Sequence, residues 1–151
     1  ERITYSSILK PTDYLLAQRR IKDNNPKLSR DSFEDLQYFD LRININEFGD
    51  EFIKYNVNDQ QEYQGRVTYC AFDMQRDIKL VDGNDTLDCV LYHHERTYGI
   101  VPYGHFILGF ETKKSNTVTT KTIVFEDKLF NNGIIKFTFS PEILTKEPTL
   151  L

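Results

Sequence analysis

The chain has 151 residues and a mass of 17.8 kDa, with 39% hydrophobic residues, 28% charged residues and a net charge of −4. This length corresponds to one ordinary domain, and the balance of apolar and charged residues excludes a globally disordered chain. Positive and negative residues are interspersed, so no basic patch is present of the kind that a nucleic-acid-binding surface needs.

The start of the chain bears on location. No apolar run approaches the roughly 20 residues that a membrane-spanning helix needs, so no transmembrane segment is predicted. The sequence begins at Glu1 rather than Met, which indicates a processed or trimmed product. A cleaved signal peptide or lipoprotein leader is one explanation, and an artificial boundary is the other. We expect an extracytoplasmic protein, secreted or in the cell envelope, for which a lipid anchor is one form of membrane attachment.

The N-terminal part, residues 1–36, is predicted to be a helical segment that packs on or flanks the rest of the chain. Thr12 is a suitable N-cap, and Tyr14, Ala17 and Ile21 follow it at helical spacing. Asn24-Asn25-Pro26 ends this helix.

The rest of the chain carries the patterns of β-strands and turns. Phe39–Asn46 alternates without a break between apolar and polar residues, which is the pattern of a half-buried strand. Asn131-Asn132-Gly133 is a hairpin signal. Further strands are predicted at Phe52–Val57, Arg66–Phe72, Ile78–Val81, Thr86–His94, His105–Glu111, Thr117–Phe125 and Ile134–Phe139.

These elements predict a mainly β fold, an antiparallel β-sandwich of about seven or eight strands with an N-terminal helix. A closed β-barrel is the alternative. We divide the chain into the helical segment 1–36, the sandwich 37–140 and an extended C-terminal tail 141–151. No internal repeat or flexible linker separates these parts, which predicts a single domain.

Two cysteines are present, Cys70 and Cys89, and both fall in predicted strands, Val67–Phe72 and Leu87–Tyr92. If these strands pair antiparallel, the two thiols face each other and can form a disulfide in an oxidising compartment. Two buried free thiols are the alternative. A four-ligand zinc site is not indicated, because no second pair of cysteines is present.

The three histidines lie close together in the sequence, and His94, His105 and Glu95 form a candidate metal site. His93 and His94 are neighbours on a predicted strand and point to opposite faces, so only one of them can join His105. A site of this kind would make the protein a metal-binding module or a metal-dependent enzyme. Histidines that form hydrogen bonds at the edge of the sheet are the simpler interpretation.

The loop between two predicted strands contains Tyr98, Pro102 and Tyr103, which are candidate binding residues. Proline stiffens such a loop, and tyrosine rings suit recognition. Packing of the rings against the end of the sandwich is the structural alternative. A small ligand or a glycan could also stack on the two tyrosines, although the chain has no Trp.

Motifs for catalysis are missing from the sequence: there is no nucleophile elbow and no glycine-rich phosphate loop. We therefore expect a non-enzymatic protein without a cofactor, a protein–protein interaction or scaffold subunit of a cell-envelope or surface assembly, with other protein subunits as partners. The metal site and the small-ligand or glycan site are the alternative functions. A processed start, a helical leader and a sandwich resemble the layout of many bacterial envelope lipoproteins, without any shared motif.

Overall fold

The computed structural model describes residues 2–10, 36–101, 103–112 and 119–140. Within these ranges the chain forms eight strands, one α-helix and two short 3-10 turns, at Phe52–Lys54 and Asp73–Asp77. The helix, α1, spans Gln60–Ala71. The strands are β1 (Ile3–Lys10), β2 (Leu36–Ile45), β3 (Ile78–Asp82), β4 (Asp85–Asp88), β5 (Leu91–Glu95), β6 (Tyr103–Glu111), β7 (Lys121–Asp127) and β8 (Gly133–Phe139).

The eight strands form two four-stranded antiparallel sheets, in the orders β1-β2-β6-β5 and β4-β3-β7-β8. The inner faces of the two sheets share one hydrophobic core. Phe39 of β2 meets Phe139 of β8 across this core, with ring centroids 5.2 Å apart. The predicted mainly β, sandwich-like fold is confirmed, and the described strands do not close into a barrel.

Strand β2 shows how the alternating pattern produces this core. Phe39, Leu41 and Ile43 point inward and are fully buried, because alternate residues of a strand share one face of the sheet. The neighbouring strand β6 contributes Phe106 and Leu108 to the same face. Burial of each such side chain stabilises the fold by roughly 1.5–3 kcal/mol. Because this strand pair buries several of them, it supplies a large part of the core.

The strand predicted at Arg66–Phe72 is wrong, because this segment belongs to helix α1. Asp59 is the N-cap of the helix, and its side chain accepts a hydrogen bond of 2.7 Å from the backbone N–H of Glu62. The Glu62 carboxylate in turn accepts from the backbone N–H of Asn58 at 3.3 Å. These reciprocal bonds satisfy backbone donors at the start of the helix, much as a capping box does. The strand predicted at Phe52–Val57 is also wrong, since a 3-10 turn begins there.

The N-terminal region differs from its prediction where it is described. Ile3–Lys10, predicted as part of a helical segment, is strand β1 and pairs with β2 along its whole length. The helix predicted to begin at Thr12 and the predicted tail 141–151 lie outside the described residues. Among the residues that the structure describes, no helix is both long and apolar enough to span a bilayer.

Cys70 and Cys89 are both free and buried. The predicted disulfide relied on two paired strands, and that pairing is wrong because Cys70 lies on α1. Burial raises the pKa of the Cys70 thiol to about 12 and that of the Cys89 thiol to about 11. In this structure the two residues are therefore neutral, apolar parts of the core.

Candidate interaction site

The loop that joins β5 to β6 places large apolar side chains in solvent. We call residues 96–101 of this loop the tip loop. Ile100 is 87% exposed and Tyr98 is 72% exposed. The side chain of Ile100 is the most exposed large hydrophobic one among the described residues. Side chains of this size usually avoid water, so their exposure together on one loop makes this loop a candidate contact surface.

The tip loop contains a tight turn whose backbone does not suit its sequence. The N–H of Ile100 donates to the carbonyl oxygen of Thr97 at 3.1 Å, and the two residues between them both have positive φ angles. These are 54° for Tyr98 and 89° for Gly99. Asn and Gly are the residues that favour such a turn. Glycine fits its position, whereas a bulky residue such as tyrosine is strained at positive φ.

An ion pair holds the base of the tip loop. The Nε of Arg96 donates to Glu51 Oε2 at 2.7 Å, and one terminal nitrogen donates to Glu51 Oε1 at 3.1 Å. The same nitrogen donates to the Tyr63 hydroxyl at 2.6 Å. Hydrogen bonding to Glu51 raises the pKa of Arg96, which keeps the guanidinium charged. We call Glu51, Tyr63 and Arg96 the clamp, since they tie the loop to α1 and to the residue before the first 3-10 turn.

The clamp also orients the exposed tyrosine. The Arg96 guanidinium lies 4.3 Å from the centroid of the Tyr98 ring, a cation–π contact. Glu51 is only 5% exposed, so the pair is shielded from water on the carboxylate side. A buried bidentate pair of this kind fixes geometry more strongly than an exposed one. These contacts anchor the base of the tip loop and the ring of Tyr98.

The floor below the tip loop is filled by packed rings. His94 stacks on Phe106 with centroids 4.6 Å apart and meets Phe52 edge to face. Burial, together with the nearby Arg96 charge, lowers the pKa of His94 to about 4, so its imidazole is neutral near pH 7. The space under the loop, between Glu51, Phe52 and His94 on one side and Tyr103 and Gly104 on the other, has no room for a water molecule. Recognition by this loop must use its outer surface.

The three predicted binding residues separate in the structure. Tyr98 lies at the exposed turn, whereas Tyr103 is half-buried at the start of β6. The Tyr103 ring packs under the Arg42 guanidinium, 4.5 Å from its centroid, and near His105. Pro102 lies outside the described residues. The two tyrosine rings therefore have different neighbours and do not form a shared stacking platform.

The predicted metal ligands are also separated. His94 faces the core, whereas His105 lies on the outer face of the same sheet, where its Nε2 is 2.8 Å from Asp40 Oδ2. Glu95 pairs with His105 in the strand register and lies 3.6 Å from His93. Within the described ranges, no group of three His, Cys, Asp or Glu side chains is placed to hold a metal ion. One zinc ion cannot bridge imidazoles on opposite faces of a sheet, so these three residues do not form one site here.

Sequence reasoning missed two of the residues that shape this site, Glu51 and Tyr63. Glu51 follows Asp50 in a turn-like segment, where an acidic residue is ordinarily solvated. Its partner Arg96 is 45 positions further along the chain. No local pattern signals such a pair, because only the folded arrangement brings the two side chains together.

Comparisons of this chain with protein-family models, with curated proteins and with solved structures find no match. The chemistry of the residues themselves is therefore the basis for a proposed function, and the tip loop with its clamp provides that chemistry.

Proposed function

We propose that this protein is a non-enzymatic interaction subunit that docks on a partner protein through the tip loop. A single observation carries the proposal: Tyr98 adopts a φ of 54° and is 72% exposed. Asn or Gly would form the same turn with less strain. Strain that the fold does not require points to a role for the side chain itself.

The chemistry of the tip loop supports a protein partner. Tyrosine and arginine are enriched among the residues that contribute most to binding at protein interfaces, and here Tyr98 and Arg96 lie side by side. Ile100 supplies an apolar anchor next to them. The clamp keeps the loop ordered before binding, so little conformational entropy is lost when a partner docks.

The decisive variant is Tyr98→Asn, because it keeps the turn and removes the ring. We expect the free energy of unfolding to stay the same or rise by up to about 1 kcal/mol, because Asn tolerates positive φ. Partner binding should fall by at least about tenfold. The matched control is Ile134→Ser on β8, which removes another exposed apolar side chain, 63% exposed, from the second sheet.

The partner is first identified by crosslinking. A photoreactive amino acid at position 100 of the tip loop, or at position 134 as control, is crosslinked in extracts of the native source and analysed by mass spectrometry. Binding of the purified partner to the Tyr98→Asn and Ile134→Ser variants is then measured by surface plasmon resonance. A partner that crosslinks equally from both positions, or binds Tyr98→Asn as tightly as the unmodified protein, contradicts the proposal.

The proposal includes membership of a cell-envelope or surface assembly, which rests on expectations from the sequence alone. Fractionation of native cells, with antibody detection of the protein, tests this part separately. Mass measurement of the protein from the membrane fraction tests for an attached lipid. Recovery in the cytosolic fraction would remove the envelope location and leave the docking role of the tip loop to be tested by itself.

A further inference from the structure

A second region, remote in sequence from the tip loop, forms an open groove of about 670 Å³. One wall is helix α1, and the opposite wall is the loop of residues 128–132 that joins β7 to β8. Tyr55 and Asn56 also line the groove. Its volume lies within the range of roughly 300–1,000 Å³ that is usual for small-ligand sites.

A buried carboxylate fixes the 128–132 wall of the groove. Asp127 is 2% exposed, and its Oδ1 accepts from the backbone N–H groups of Leu129 and Phe130 at 2.9 and 3.0 Å. Its Oδ2 accepts from the N–H of Asn132 at 3.3 Å and from the Tyr5 hydroxyl. The wall is thus ordered without a ligand, as a binding site requires.

The cations of the groove are already neutralised. Arg66 donates to the carbonyl oxygen of Ile53 at 2.8 Å and also to that of Tyr55, and it lies 3.5 Å from Glu62. Lys128 is paired with Asp77 at 3.0 Å. With both positive charges matched by carboxylates, the groove has no excess charge to attract a phosphate or another anion.

The backbone around the groove is likewise occupied. The carbonyl oxygens of Ile53 and Tyr55 accept from Arg66, and the N–H groups of Leu129 and Phe130 donate to Asp127. An extended peptide binds chiefly through unpaired backbone groups of its receptor. These four backbone groups are not free to pair with a peptide, which favours a ligand that side chains recognise.

Two side-chain amides at the rim are available for such recognition. Asn56 and Asn131 line the groove, are exposed, and form no hydrogen bond within the described part of the chain. An amide offers both a donor and an acceptor, which matches a sugar hydroxyl. The rings of Tyr55, Tyr69 and Phe130 also line the groove and can pack against the apolar C–H face of a pyranose.

A glycine keeps the groove open on the helix side. Gly65 lies in the interior of α1, where glycine is among the least favourable residues. It lines the groove, and a Cβ atom at this position would meet no other atom within 4 Å. Close packing therefore does not explain the glycine, and the space beside it is open to a ligand.

From these observations we propose that the groove binds a neutral oligosaccharide. The stacking surface comes from the aromatic rings, the hydroxyl partners are Asn56 and Asn131, and the space is left by Gly65. This site is independent of the proposed docking of the tip loop, so either can fail without the other.

The test uses a glycan array that carries neutral and acidic oligosaccharides, followed by isothermal titration calorimetry with the neutral glycan that gives the strongest signal. Gly65→Gln projects a side chain into the groove and also restores helix propensity, so we expect unchanged or higher thermal stability and at least about tenfold weaker binding. Asn131→Gly removes one amide at a φ of 57°, which glycine adopts readily, and should weaken binding by about five- to tenfold.

Glu47→Gly is the matched control, since it makes the same kind of change at a φ of 60° outside the groove lining. Tyr98→Asn, which alters the tip loop, should bind the glycan as the unmodified protein does. Any of three results would overturn the proposal: no neutral glycan is bound, only acidic glycans are bound, or Gly65→Gln and Asn131→Gly bind as tightly as Glu47→Gly.

Discussion

The clamp makes a quantitative prediction about the ion pair between Glu51 and Arg96. Replacement of Arg96 by Met leaves the Glu51 carboxylate buried without its cation, and loss of one partner of a buried pair destabilises a protein by about 3–5 kcal/mol. The Arg96 side chain is 22% exposed and the Glu51 side chain 6%, so only the carboxylate is strongly desolvated. We therefore expect a loss of about 3 kcal/mol for Arg96→Met.

The reverse variant should be milder. Glu51→Gln removes the charge but keeps the shape, and charge-assisted hydrogen bonds contribute about 1.5–3 kcal/mol, so we expect a loss of about 2 kcal/mol. The double variant Glu51→Gln, Arg96→Met should lose about 3 kcal/mol rather than the sum, because the second change no longer breaks an intact pair. The double-mutant cycle then gives a coupling energy of about 2 kcal/mol.

Urea denaturation followed by circular dichroism measures all four proteins, since a domain with the usual stability of about 5–15 kcal/mol remains folded in each. The exposed pair of Asp50 and Lys54, 3.5 Å apart, is the control, and its cycle should give less than about 0.5 kcal/mol. A coupling energy for Glu51 and Arg96 as small as that of the control would refute the interpretation of the clamp as a rigid anchor.

Three further predictions address the core. Burial lowers the pKa of His94 from its ordinary value of 6.5 to about 4, so the folded protein favours the neutral imidazole. The contribution of His94 to the free energy of unfolding is therefore complete above pH 6.5 and disappears as pH falls towards 4. It amounts to about 1–2 kcal/mol after allowance for solvent screening. The urea midpoints at pH 7 and pH 4.5 should differ less in the His94→Phe variant than in the unmodified protein. An equal pH dependence in both proteins would contradict the assignment to His94. The pKa of the Cys89 thiol is raised from 9.0 to about 11, and that of the Cys70 thiol is raised further. Iodoacetamide at pH 8 should therefore alkylate the native protein at least about 100 times more slowly than the urea-unfolded chain, as followed by mass spectrometry. Equal rates would show that the thiols are not buried. Gly104→Ala would place a Cβ 2.5 Å from the Phe52 ring and should reduce the free energy of unfolding, measured by urea denaturation, by about 1–3 kcal/mol. Gly49→Ala is the control, since its Cβ would meet nothing within 4 Å, and an equal loss in both variants would contradict this reasoning.

The parts of the fold that could be predicted are those in which a local pattern and the tertiary environment agree. From Leu41 to Ile45 in β2, and from Tyr103 to Leu108 in β6, every second residue is buried, as a sequence period of two predicts for a strand. Helix α1 breaks this agreement. Only Cys70 of the helix is fully buried, so its apolar face is narrow, and Val67–Phe72 is rich in the β-branched and aromatic residues that favour strands. The capping bond between Asp59 and Glu62 marks the start of the helix, and the spacing of these two residues was the local signal that could have identified it.

The candidate site could not be predicted because its two unusual features both depend on the folded chain. The sequence contains Tyr98 and Gly99, but no local pattern states that the tyrosine, rather than a favoured Asn or Gly, occupies a position of positive φ. A buried ion pair is likewise a weak source of stability, since well-packed apolar residues in its place are often as stable or more so. An unfavourable backbone angle at Tyr98 thus occurs two residues from Arg96, which pairs with the buried Glu51, and neither feature is what fold stability alone would favour. Both are consistent with a requirement to hold one exposed aromatic ring in one orientation, which is the physical requirement of a docking contact.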